Sequence, residues 1–129
     1  MLNVLSGTSA RHNKTLREVR DWTGTVQNFL SSYDLYGSTD YRTLLGNIGD
    51  AKFDLTAIAY NGRPLIVKAG RIKGQEIEPL IIEIITSVEN LRRYLIHPSL
   101  QSEKVSNTVL NLRSSYENLQ ETLSVIELM

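Results

Sequence analysis

Apolar residues near the C-terminus recur in alternating steps of four and three: Val105, Val109, Leu112, Tyr116, Leu119, Leu123 and Ile126. That is the repeat of one helix face, and it predicts a helix of about seven turns over residues 102–128. No Gly or Pro interrupts it, and Arg113, Glu117 and Glu121 fall at i,i+4 steps on a flank suited to water. A single amphipathic helix does not hold its seam alone, so the remainder of the chain must supply the covering helices.

Three further segments carry the same period. Thr15 with Glu18 reads as a capping box that opens a helix whose apolar positions are Val19, Trp22, Val26, Phe29 and Tyr33. From Asp40, the spacing Tyr41, Leu44, Ile48, Ala51, Leu55, Ile58 predicts a second helix running to about Tyr60, with Gly62 as its left-handed stop. Glu78-Pro79 opens a third, since a proline in the first turn gives up an N–H that has no helical partner there. Its face is Ile81, Ile84, Ile85, Val88, Leu91 and Leu95, and His97-Pro98-Ser99 ends it one short turn before the last helix.

These elements predict an all-α fold, an antiparallel four-helix bundle over residues 15–129, preceded by a flexible N-terminal arm at 1–14. Residues 61–76 are expected to be a crossover loop, with Leu65, Ile66 and Val67 pinning one end to the core. The alternative is an α+β domain with one small hairpin near 55–68, because Asn61-Gly62 suits a tight turn between two apolar runs. Pro64 weakens that alternative, since it removes a ladder donor.

Composition narrows the function classes. Basic and acidic side chains balance at 14 each, so bulk charge argues for neither nucleic acid nor membrane. The absence of cysteine excludes disulfides, thiolate metal sites and a thiol nucleophile. No apolar run approaches the ~20 residues of a membrane helix, and Met1–Lys14 lacks the pattern of a secretory signal. A cytoplasmic protein, or one held within an assembly, is the expectation.

No cofactor or metal is expected: the two histidines, His12 and His97, have no carboxylate or second histidine at helical ligand spacing. No Gly-rich phosphate loop or nucleophile elbow occurs. The basic stretch Arg63, Lys68, Arg71 and Lys73 contains no acid and offers a polyanion contact. Four charges give only weak, salt-sensitive binding, and no aromatic among them supplies a stacking platform.

Arg92 followed by His97, at the end of a long helix in an all-α chain, resembles the Arg-x4–6-His signature of the HEPN superfamily of helical ribonucleases. The resemblance implies metal-independent RNA cleavage by those two residues, usually across a dimer. Here Arg93 stands where that family often has a polar residue, and Pro98 follows the histidine.

The remaining feature is apolar surplus. Ile82 and Ile96 on the third helix, with Leu110, Val125 and Leu128 on the fourth, lie off the core faces, and Tyr36 sits in a tyrosine-rich turn. Such residues, exposed together, mark contact surfaces. The leading expectation is a non-catalytic bundle acting through protein–protein contacts, self-associating as an assembly subunit or serving as a small adaptor. A nucleic-acid module using the basic loop, or the ribonuclease of the Arg92/His97 resemblance, are the alternatives.

Overall fold

The computed structural model describes residues 2–36, 48–72, 76–96 and 102–128, without the side chains of 2–11, 35–36, 48–53, 96, 102 and 127–128. Among these residues there are four helices: α1 (Leu2–Tyr36), α2 (Ile48–Ala69), α3 (Ile77–Ile96) and α4 (Ser102–Leu128). Consecutive helices pack side by side and α1 closes the ring against α4, so α2 and α4 occupy opposite corners. Cross-contacts fix the directions. Glu18 meets Lys68, Glu83 meets Ser115, Lys104 lies over the Tyr94 ring, and Gln120 reaches Thr23. Every neighbouring pair is antiparallel, and the fold is the expected four-helix bundle.

Each seam feeds one core. Leu16, Val19, Trp22, Val26 and Phe29 from α1 meet Leu55, Ile58 and Leu65 from α2, and Ile81, Ile84, Val88 and Leu91 from α3 meet Val109, Leu112, Leu119 and Leu123 from α4. Tyr33, Tyr116 and Ile126 pack on the rim of this core. Large β-branched and γ-branched side chains fill the interior and account for most of the drive to close the ring.

The start of one helix and the end of another differ from expectation. α1 is helical from Leu2, so Thr15-Glu18 is not a capping box that opens it. Thr15 is buried in mid-helix, and Glu18 turns to Lys68 instead. No proline and only Gly7 interrupt residues 2–14, so nothing stops the helix from propagating outward from its packed part. Next, α2 does not stop near Tyr60, and the expected crossover loop does not begin at residue 61, because 61–69, including Leu65–Val67, is helical. The helix continues through Asn61-Gly62 and Pro64 to Ala69, which also rules out the hairpin near 55–68. Its buried positions Leu55, Ile58, Gly62, Leu65 and Ala69 keep one face throughout, and Ile72 just beyond its end is buried as well, whereas Val67 is exposed.

The reason α2 tolerates Gly62 is Trp22. The indole lies flat against this position: a Cβ there would stand 2.6 Å from Cζ2 and 2.7 Å from Cε2. The ring is tied to the same helix, since Nε1–H donates to the Ile58 carbonyl at 2.9 Å. Glycine serves here as a recess for an aromatic ring rather than as a terminator. The start of α2 was expected at Asp40; residues 37–47 lie outside the described residues.

Candidate interaction surfaces

The core closes without Ile82, Leu110 and Val125, which are 41%, 62% and 54% exposed. They do not make one patch. Leu110 and Val125 are 15 residues apart on α4, about 22 Å along the axis, and exposed Ser114, Glu117, Asn118 and Glu121 lie between them. Ile82 borders an open groove of about 410 Å³ between α3 and α4, where Asn90, Asn111 and Asn118 are among the lining residues. There Ser115 Oγ donates to Glu83 Oε2 at 3.2 Å, which fixes the carboxylate across the helix pair. The side chains of Tyr36, Ile96 and Leu128 lie outside the described residues.

Two strongly exposed apolar residues were missed by sequence reasoning: Tyr60 at 78% and Val67 at 62%. Both are on α2, two turns apart, with exposed Arg63 and Pro64 on the same side. The signal was present in the unbroken core spacing through Gly62, which leaves Tyr60 and Val67 on the outer face once α2 is read as continuous.

The basic stretch does not act as a unit. Arg63 leaves toward α3, where its Nη2 donates to Glu89 Oε1 at 2.8 Å. Lys68 turns the other way, to Glu18 Oε2 on α1 at 2.8 Å. Arg71 is exposed and makes no ion pair among the described residues, and Lys73 lies outside them. Lys68 and Arg71 instead share a small pocket with His12, Lys14, Thr15 and Glu18.

The hydrogen bond from the Lys68 ammonium, helped by its charge and that of Lys14, holds the Glu18 carboxyl below its ordinary value near 4.5, although desolvation opposes the shift. A depressed carboxylate pKa stabilises the fold above the unfolded value, and that contribution disappears as pH falls through the lowered folded value. In a carbon-13 titration the Glu18 carboxyl should therefore titrate below 4.5, and Lys68→Met should move its midpoint back toward 4.5. An unchanged midpoint in Lys68→Met would remove the lysine as the cause.

Arg92 is engaged as well. Its Nη1 donates to Glu89 Oε1 and Oε2 at 3.1 and 3.2 Å, so one carboxylate joins Arg92 to Arg63 and clips α3 to α2. His97, the second residue of the ribonuclease resemblance, lies outside the described residues. Among the described residues no three His, Asp or Glu side chains stand together as a metal site, and no helix is long and apolar enough to cross a membrane.

The outer faces of the diagonal helices differ in sign. Glu103, Leu110, Glu117, Glu121 and Val125 share a narrow arc of α4, and the three acids make no ion pair among the described residues. On the opposite corner, Tyr60, Arg63 and Val67 share the outer arc of α2, with Arg71 just beyond its end. Comparison with known protein families, characterised proteins and solved structures finds no match to this chain.

Proposed function

We propose that this chain is a non-catalytic bundle protein that works through protein–protein contacts and associates with copies of itself, the α2 face of one copy against the α4 face of the next. The observation that supports this reading is the matched pair of faces. Exposed Tyr60 and Val67 stand beside Arg63, which is shared with Glu89, and Arg71 on one corner, and exposed Leu110 and Val125 stand among acids on the opposite corner. Complementary charge steers and registers such a contact, while the tyrosine and the aliphatic side chains supply the area that leaves water. The charge pattern disfavours α4 against α4, because Glu117 and Glu121 would then face their own copies.

Light scattering on a sizing column tests this with two variants. Tyr60→Glu with Val67→Glu disables the α2 face, and Leu110→Lys with Val125→Lys disables the α4 face. Wild type at micromolar concentration should exceed the 14.6 kDa monomer and lose mass as salt is raised. Each variant alone should be monomeric with unchanged helicity. Mixed together they should form two-chain complexes and nothing larger, since each retains the face the other lacks. A monomeric wild type overturns the proposal, as does continued self-association of the variant lacking the α2 face.

A further inference from the structure

We infer that the pocket between α1 and the end of α2 is a binding site for a single compact dianion of the phosphomonoester class. The pocket has a volume of about 170 Å³ and is lined by His12, Lys14, Thr15 and Glu18 from α1 with Lys68 and Arg71 from α2. At ~30 Å³ per water, that is space for about six waters, enough for one tetrahedral anion.

The sequence converges on this spot from two directions. His12, Thr15 and Glu18 are spaced by threes on α1, and Lys68 and Arg71 by three across the end of α2, so each set looks across the same gap. Three permanent cations and one carboxylate leave a net charge of +2 before the histidine is counted. Lys14 and Arg71 make no ion pair among the described residues, so their donors are available to a ligand. The guanidinium of Arg71 offers two parallel N–H donors to two oxygens of one phosphate, and Lys14 adds a point charge. The Thr15 hydroxyl and the His12 ring supply directional donors to the remaining oxygens.

Glu18 bridges the two walls of the site: its carboxylate holds the Lys68 ammonium at 2.8 Å across the gap. An arriving dianion competes with this carboxylate for Lys68, so Glu18 opposes binding while keeping the cationic walls together. The self-association contact is centred on Tyr60 and Val67 on the outer arc of α2, and of the pocket residues only Arg71 borders that face. The site also differs from a linear basic stretch: Arg63, held by Glu89 on the other side of α2, has no part in it.

Titration calorimetry of the full chain with inorganic phosphate is the test, in a buffer free of other multivalent anions. Saturable one-to-one binding is expected, with sulfate competing and chloride far less effective at equal ionic strength. Lys14→Ala and Arg71→Ala should each weaken the affinity about tenfold or more, since each removes a charge-assisted contact. Arg63→Ala should leave it unchanged, and Glu18→Gln should tighten it by freeing Lys68. The opposite direction of the Glu18 effect separates a specific site from a general loss of fold. Vesicles carrying phosphatidic acid distinguish a membrane-borne phosphate from a free one: binding to inorganic phosphate but not to vesicles assigns the free form, and the reverse assigns the lipid headgroup. Absence of saturable binding to both, or binding indifferent to Lys14 and Arg71, overturns the inference.

Discussion

Gly62→Ala is expected to destabilise the bundle by about 2 kcal/mol, although alanine is the better helix former. Propensity alone would favour the substitution by about 1 kcal/mol. Against it stands the Trp22 ring, with Cζ2 only 2.6 Å from the position a Cβ would take. Carbon atoms are at ease near 3.5–4.0 Å, so about 1 Å of movement is required. The ring cannot make that movement freely, because it is buried and its N–H is bonded to the Ile58 carbonyl one turn away on the same helix. Over-packing of this kind costs about 1–3 kcal/mol, more if the hydrogen bond is lost with it. Urea unfolding is the measurement. Trp22→Leu should shrink the penalty of Gly62→Ala, which a double-mutant cycle detects. Independent, additive losses would show that ring and glycine do not meet.

Two residues further on, Pro64→Ala should do the opposite and stabilise by about 1–3 kcal/mol. Pro64 is in the interior of α2, where it gives no N–H to the Tyr60 carbonyl and its ring crowds the preceding turn. An interior proline costs about 3 kcal/mol relative to alanine, which sets the upper end of the expected gain. The side chain is exposed, so no core contact is lost on truncation. For a chain of this size the melting temperature should rise by about 3–5 °C per kcal/mol. A fall instead would mean that the ring of Pro64 makes a contribution to placing Leu65 and Ala69 in the core that outweighs its missing N–H. The same alanine thus has opposite signs at neighbouring positions, one set by a tertiary contact and the other by the backbone.

That pair also marks the limit of what was legible in the chain. Where the three-and-four period ran unopposed, as in α3 and α4, the sequence identified the buried face residue by residue. Tyr116 and Ile126 are only partly covered, packing against the core from its surface side. Where local turn chemistry contradicted the period, the local signal prevailed and misled. Asn61-Gly62 and Pro64 are strong turn words, but a buried indole needs a glycine and an exposed proline can ride on a helix held by packing on its other side. The same error hid Tyr60 and Val67, since a helix that ends at Tyr60 has no outer face beyond it. The basic cluster failed differently: its partners Glu18 and Glu89 are 50 and 26 residues away in sequence, and only the antiparallel pairing of α1, α2 and α3 brings them within reach.

The way the ring closes has a kinetic consequence. α2, α3 and α4 meet their neighbours through short connections, so those two hairpins assemble with little loop entropy to overcome. The α1–α4 seam instead joins residues 97, 79 and 73 apart: Thr23 with Gln120, Asp34 with Arg113, Tyr33 with Ser106. Polar side-chain links contribute to it, and they gain little until the apolar faces are already in place. The α1–α4 seam is therefore the last to close and the first to open, while the sole tryptophan of the chain reports the packing of α1 on α2. Indole fluorescence follows that contact, while amide circular dichroism follows all four helices. A lag between the two signals during refolding measures the lifetime of an intermediate in which α1 has not yet covered Leu55 and Ile58.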